Sequence, residues 1–301
     1  MNVLLVTLLA AGLIGPLDQT VVSPAWLEQN INDPNVIVVE IGSLPPSARN
    51  TVSIASWPHG RDLHIPGARF IPIESIVIRN GWPPDELPAV DQLRKVFEAA
   101  GVGDEGRIIL YSADPLLATR AWFTLDYLGH GDRTAILDGG FARWRSEKRP
   151  VATQRVERTA ATLTAKADST RLVSLAEMRA ASESGNAVLI DARRGEQFIG
   201  SMQSRSVVRG GHIPGALCNP WRMNVTTDDT FRSPAELKSM YEQLVPQGTE
   251  RVIVYCRTGM EASMPYFVLR SLGYDVALYD GSYAEWSRDP SAPVVSLSAV
   301  R

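Results

Sequence analysis

The stretch "RVIVYCRTGMEASMPYFVLRSLG", Arg251 to Gly273, sets one of only two cysteines in the chain, Cys256, between an apolar run and a glycine-bearing turn. Arg251 to Tyr255 are rich in β-branched and aromatic side chains and read as a short buried strand. From Glu261 onward Met264, Phe267, Val268 and Leu272 recur at helical spacing, and Gly273 is the expected stop. Cys256 is therefore expected at the carboxyl end of a strand, beside a helix N-terminus. Ligands bind at that edge of open α/β sheets.

The motif occurs twice. "LHIPGARFIP" (Leu63 to Pro72) returns as "GHIPGALCNP" (Gly211 to Pro220), and "GRIILYSADPLLATRAWFTLDYLG" returns as "ERVIVYCRTGMEASMPYFVLRSLG". His64 maps to His212, Ser112 to Cys256, Gly129 to Gly273 and Trp144 to Trp286, with shifts of 148, 144, 144 and 142. Each half carries apolar runs, "VIVVE", "RIILY" and "TAILD" then "AVLID", "RVIVY" and "VALYD", separated by helical patterns such as "VDQLRKVFEAAG" and "PAELKSMYEQL". Strands alternating with helices predict an α/β fold: two tandem domains, each a mainly parallel sheet flanked by helices. The expected divisions are an N-terminal extension over 1–20, a first domain over 21–155, a linker over 156–170 and a second domain over 171–301. One large domain with a duplicated motif is the competing arrangement.

A net charge of -3 over 301 residues argues against a general nucleic-acid binder. Cys218 and Cys256 lie far apart and only four histidines are present, so neither a disulfide framework nor a metal site is expected. Cys218, in "GALCNPW", reads as a small buried hydrophobe. The apolar run Val3 to Ile14 is too short to span a bilayer and suits the core of an export signal, although no basic residue precedes it. A periplasmic protein without stable membrane association is expected, with a cytoplasmic one as the alternative.

Only the second half has a cysteine at the turn, so only that half can use one. A free thiol, with a pKa near ~8.5, needs ~2.7 kcal/mol of preferential anion stabilisation to drop by ~2 units. Backbone N–H groups of the turn, the helix dipole and Arg257 are the expected sources. Gly259 allows a tight bend, and the Thr258 hydroxyl is placed to donate to an anionic sulfur or oxygen. In "LIDARRGEQFIG" a second strand ends beside Arg193, which is expected either to lean over the cysteine turn and bind an oxyanion or to pair with Glu196 on the surface. Asp191 is expected to brace the turns. His64 and His212 read as turn braces rather than bases, and Trp221 as a pocket wall or a core residue.

"LIDAR", "GHIPGA", "VIVYCRTGMEA" and "DGSYAEW", in this order, resemble the second domain of tandem-domain rhodaneses, a sulfurtransferase family that includes thiosulfate and 3-mercaptopyruvate sulfurtransferases. "HIPGARF", "IILYS" and "LDGGFARW" resemble the family's inactive partner domain, and the likeness runs from about Val22 to Val295. The resemblance implies that Cys256 takes the outer sulfur of a small anionic donor, becomes a persulfide, and yields it to a thiol or cyanide, without a cofactor. It implies substrate contacts from Arg193, Arg257, Thr258, Gly259, Met260 and Glu261.

Arg257 fits thiosulfate-type members. Thr258 matches the mercaptopyruvate type, but Gln197 stands where that type carries a second arginine, and Glu261 is an unexpected carboxylate. Thiosulfate is therefore the favoured donor. A cysteine phosphatase would need arginine at position 262, which is alanine. A non-catalytic rhodanese-like binding module is the rival of another class.

Overall fold

The computed structural model describes residues 17–44, 63–154 and 159–297. The apolar run Val3 to Ile14 and the start of the linker lie outside the described residues. The first half contains α1 (Leu17–Thr20), β1 (Val21–Val22), α2 (Pro24–Asn30), β2 (Val36–Gly42), β3 (Arg69–Pro72), α3 (Val90–Ala99), β4 (Arg107–Tyr111), α4 (Pro115–Tyr127), β5 (Thr134–Leu137) and α5 (Gly140–Ser146). The second contains β6 (Leu172–Val173), α6 (Leu175–Ser184), β7 (Val188–Asp191), α7 (Gly195–Phe198), β8 (Ala216–Cys218), α8 (Pro234–Leu244), β9 (Val252–Tyr255), α9 (Ser263–Ser271), β10 (Val276–Tyr279) and α10 (Ser282–Arg288).

All six apolar runs named from the sequence form strands. The short edge strands β1, β3, β6 and β8 carry too few apolar residues to be singled out. The sheets have the orders β1-β5-β4-β2-β3 and β6-β10-β9-β7-β8, and their strand pairs are parallel. Local chemistry sets the helix starts. Asp114 accepts the Leu116 N–H at 3.0 Å ahead of Pro115, and Ser233 and Glu236 form a reciprocal capping box around α8.

The halves are two sheets but not two separate cores. Val22, Leu27, Ile109 and Trp144 pack on the outer face of the first sheet, and Ile253, Tyr279 and Trp286 on that of the second. Between the sheets one continuous apolar cluster holds Leu110, Trp122, Phe123, Val254, Tyr266 and Phe267 together. At its centre α4 meets α9, its equivalent at a shift of 144, in reciprocal contacts. Trp122 meets Phe267 edge-on at 4.9 Å and Phe123 meets Tyr266 edge-on at 4.8 Å. The equivalent hydroxyls Thr119 and Ser263 bond each other at 2.8 Å. The two halves are thus related by an approximate two-fold axis through α4 and α9.

The segment after Thr159 is an ordered strap along the first half. Leu163 is buried, and the N–H groups of Lys166 and Asp168 donate to Leu128 and Tyr127 carbonyls at 2.9 Å.

Candidate functional site

β9 ends at Tyr255, and residues 256 to 262 turn from the sheet edge into α9. Cys256 is fully buried, at 0 % relative exposure, within the apolar cluster shared by the halves. Its N–H donates to the Ser282 hydroxyl at 3.3 Å, and its carbonyl accepts from the Tyr283 N–H at 3.0 Å. The backbone N–H groups of Ala262, Thr258 and Gly259 lie on the side of the turn that favours negative charge on its sulfur. Ala262 joins the turn residues whose N–H groups favour the anion, and the sequence reading did not single it out.

The balance of the cradle is opposite to expectation. Burial, reinforced by the Glu261 carboxylate, pushes the Cys256 thiol up to about 11 against the three backbone donors. The expected lowering is overturned because desolvating a thiolate outweighs the partial charges gathered around it. Burial also raises Glu261, opposed by Arg257 and favoured by Asp191, so this carboxyl is the loop's second reluctant anion. The sulfur is thus closed off from solvent, and burial favours its protonated form.

The other expected site residues divide sharply. Arg257 is half-buried beside Glu261, and its Nη1 donates to the Ser206 hydroxyl at 3.1 Å. Met260 packs against the shared core and accepts from the Ser263 hydroxyl at 2.7 Å through its carbonyl. Gly259 has φ +85°, the left-handed region that favours glycine. A Cβ there would lie 2.4 Å from Asp280 Oδ1. The Thr258 hydroxyl does not turn to the sulfur: it donates to Asp85 Oδ2, from the first half, at 2.9 Å. A carboxylate that accepts only has claimed the proton expected to serve the anion.

Arg193 is withdrawn altogether. Its Nε donates to Asp191 Oδ1 and Oδ2 at 2.9 and 3.0 Å, and its Nη2 to Asp191 Oδ2 at 2.5 Å and to the Gly211 carbonyl at 2.8 Å. Its guanidinium lies 4.0 Å from the Tyr283 ring centroid, and the residue is 1 % exposed. Neither the oxyanion clamp nor the Glu196 pair expected from sequence is formed. A buried guanidinium needs a full set of acceptors, and Asp191 lies two residues away on the same strand end.

His64 contacts the Gln154 carbonyl at 3.0 Å, and His212 contacts the Phe198 carbonyl at 2.8 Å while stacking on its ring, so both brace turns. Trp221 is a core residue, and Gln197 accepts from the Arg194 N–H at 3.4 Å. Cys218 is half-buried at the end of β8 rather than fully enclosed, and burial raises its thiol pKa. At the matching edge of the first sheet a cavity of about 320 Å³ remains between Glu40, Ser43, Ser112 and Asp114. A hollow of about 740 Å³ involving Trp26, Arg107 and Arg133 lies at the opposite edge of that sheet, away from the thiol. Among the described residues no group of three or more His, Cys, Asp or Glu side chains is placed to hold a metal ion, and no helix is long and apolar enough to cross a membrane.

The rhodanese-like domain model matches residues 23–147 and 174–289. A probable 3-mercaptopyruvate sulfurtransferase of Pseudomonas aeruginosa is 30% identical over 240 residues, 77% of this chain and 84% of that protein. A putative thiosulfate sulfurtransferase of Mycobacterium bovis is 31% identical over 290 residues, 91% of this chain and 96% of that one. The crystal structure of the 3-mercaptopyruvate sulfurtransferase SseA from Escherichia coli superposes with a TM-score of 0.72 at 27% identity, over 88% of this chain and 98% of that one.

Proposed function

Because this chain belongs to the rhodanese-like domain family, in two tandem copies with sulfurtransferases among its relatives, we propose that it is a sulfurtransferase whose second half moves a sulfane sulfur from thiosulfate to a thiol or cyanide. The carrying observation is the place of Cys256, directly after β9 in the turn that leads to α9 within the second rhodanese-like match, with the Thr258, Gly259 and Ala262 N–H groups favouring its anion. Such a cradle, at a strand's carboxyl end, stabilises negative charge on the attacking sulfur and on the persulfide that replaces it.

As the donor enters, the Cys256 proton leaves to water. The thiolate attacks the outer sulfur of thiosulfate, the donor's S–S bond breaks, and sulfite departs with its electron pair. An acceptor thiolate or cyanide then takes the outer sulfur of the persulfide and returns the Cys256 thiolate. Arg257, half-buried beside the loop, is the cation that favours a doubly charged donor. Its neighbour Glu261 works against one.

A second reading, 3-mercaptopyruvate as donor, is favoured by relatives of that name, although the Thr258 hydroxyl that matches that type is given to Asp85. Sulfite release from thiosulfate with cyanide present is expected from the wild type and not from Cys256→Ser. Equal rates in the two proteins would leave a non-catalytic binding module. The same readout with 3-mercaptopyruvate ranks the donors, and mass spectrometry is expected to find one added sulfur on Cys256. Export to the periplasm belongs to this reading through the apolar run Val3 to Ile14, and N-terminal sequencing of the mature protein tests it.

A further inference from the structure

Arg120, on α4 of the half without a cysteine, is completely buried against the cysteine loop of the other half. Its Nη1 donates to Asp280 Oδ1 at 2.6 Å and approaches the Gly259 carbonyl at 3.4 Å. Its Nη2 donates to Asp280 Oδ2 at 3.1 Å and to the Asp85 carbonyl at 2.7 Å. Its Nε is buried without a hydrogen-bond partner, so it is the loop-facing fork that anchors this side chain. Gly259, one of the three cradle residues, sits directly on the Arg120–Asp280 pair: a Cβ there would be 3.1 Å from Arg120 Nη1. Asp85, whose carbonyl Arg120 holds, accepts the hydroxyl of Thr258, a second cradle residue.

The approximate two-fold axis supplies an internal control. Arg79 pairs with Asp85, which has φ +67°, and Arg222 pairs with Asp229, which has φ +57°, at shifts of 143 and 144. Leu87 donates its N–H to Asp280 at 2.7 Å, and its counterpart Phe231 donates to Asp138, the counterpart of Asp280, at 2.9 Å. Each half thus reaches the other with the same segment. The polar hold on the loop runs one way only. The counterpart of Arg120 is Met264, and that of Thr258 is Asp114, whose carboxylate caps its own helix. Of the two equivalent positions only the one that reaches the cysteine loop is arginine; the other is a buried methionine of the shared core.

We infer that Arg120 is a positioning residue for sulfur transfer: from the catalytically silent half it fixes the Gly259–Thr258 bend, and with it the N–H groups aimed at Cys256. The inference rests on the sulfurtransferase reading for its consequence but not for its measurement. The guanidinium fork spans Asp280, the Gly259 carbonyl and the Asp85 carbonyl at once, which a lysine ammonium cannot do.

The test uses the full chain labelled with ¹³C at its two cysteine Cβ atoms, so that the Cys256 resonance reports thiol ionisation without any donor. Arg120→Lys, folded by circular dichroism, is expected to shift that titration upward by about one pH unit, and to slow persulfide formation at fixed pH about tenfold. Should Arg120→Lys fail to fold, the double variant Arg120→Met/Asp280→Asn, which leaves no unpaired charge, is measured instead with the same expectation. Asp126→Asn removes another ion pair across the same helix contact, Asp126 with Arg270 at 3.2 Å. It is expected to lower stability and leave the Cys256 titration in place. Unchanged titration in the folded Arg120 variant, or an equal shift in Asp126→Asn, overturns the positioning role. If wild type accepts sulfur from neither donor while the titration still responds to Arg120, the positioning role stands and the sulfurtransferase reading falls.

Discussion

Arg193 is locked onto Asp191, two residues before it, by three N–H···O contacts of 2.5 to 3.0 Å, and the two side chains are 1 % and 0 % exposed. A pair this deeply desolvated is costly to split, because the surviving charge has no water to turn to. Arg193→Ala is therefore expected to destabilise the protein by about 3–5 kcal/mol, measured by urea unfolding. A small loss of stability with a tenfold rise in KM for the donor would make Arg193 a substrate clamp instead.

Cys256 reactivity is expected to climb with pH far beyond the range of an ordinary thiol. The folded thiol, at about 11, keeps its proton above its ordinary value of ~8.5, so alkylation at Cys256 should rise roughly tenfold per pH unit without a plateau near neutrality. The same shift fixes the sign of its effect on stability. Between those two values the folded state binds more protons than the unfolded state, so this group's contribution falls as pH rises. A reactivity plateau below pH 8 would contradict the closed site.

Glu261→Gln removes the carboxylate that reinforces burial at the sulfur. It is expected to lower the thiol pKa and speed alkylation and thiosulfate turnover at pH 8 by about threefold to tenfold, from roughly half to one pKa unit. Slower turnover with unchanged alkylation would assign the carboxyl a role with the substrate.

Gly259→Ala forces a Cβ to 2.4 Å from Asp280 Oδ1 at a φ of +85°. The backbone strain alone is about 1–3 kcal/mol, so the loop rather than the fold is expected to give way. Sulfur transfer should drop more than tenfold, while far-ultraviolet circular dichroism stays that of the wild type.

Trp122→Ala empties the centre of the shared core, where the indole meets Phe267 and is fully buried. A loss of about 3–5 kcal/mol is expected. Because the apolar cluster belongs to both halves, calorimetry should show a single transition moving down as one. Two separating transitions would show that the sheets melt independently.

The strand, turn and helix around Cys256 were legible because a β-branched run, Gly259 and the spacing of Met264, Phe267 and Val268 each act over a few residues. The repeat supplied the rest of the topology. Arg193 was misplaced because a parallel sheet tells which edge a residue reaches, not which neighbour its side chain chooses there. The Thr258 hydroxyl and Arg120 depend on how the halves dock, through residues 173 and 139 positions from their contacts on the loop. The raised thiol pKa comes from complete burial in the apolar cluster that the halves share, which a local motif does not reveal. The sequence held one usable clue: the repeated "LDGG" and "YDGS" mark Asp138 and Asp280 as equivalents, while Arg120 falls opposite Met264.

The reciprocal meeting of α4 and α9 also bears on ancestry. Two identical copies joined through this face would form a closed homodimer, with the hydroxyls of Thr119 and Ser263 on the dyad and the Trp122 and Phe123 contacts astride it. Fusion of such copies lets one surrender its nucleophile while remaining indispensable as the other's support. Severing the chain between its repeats would then bare an oily helix face on each fragment, so neither piece is expected to survive as a free enzyme.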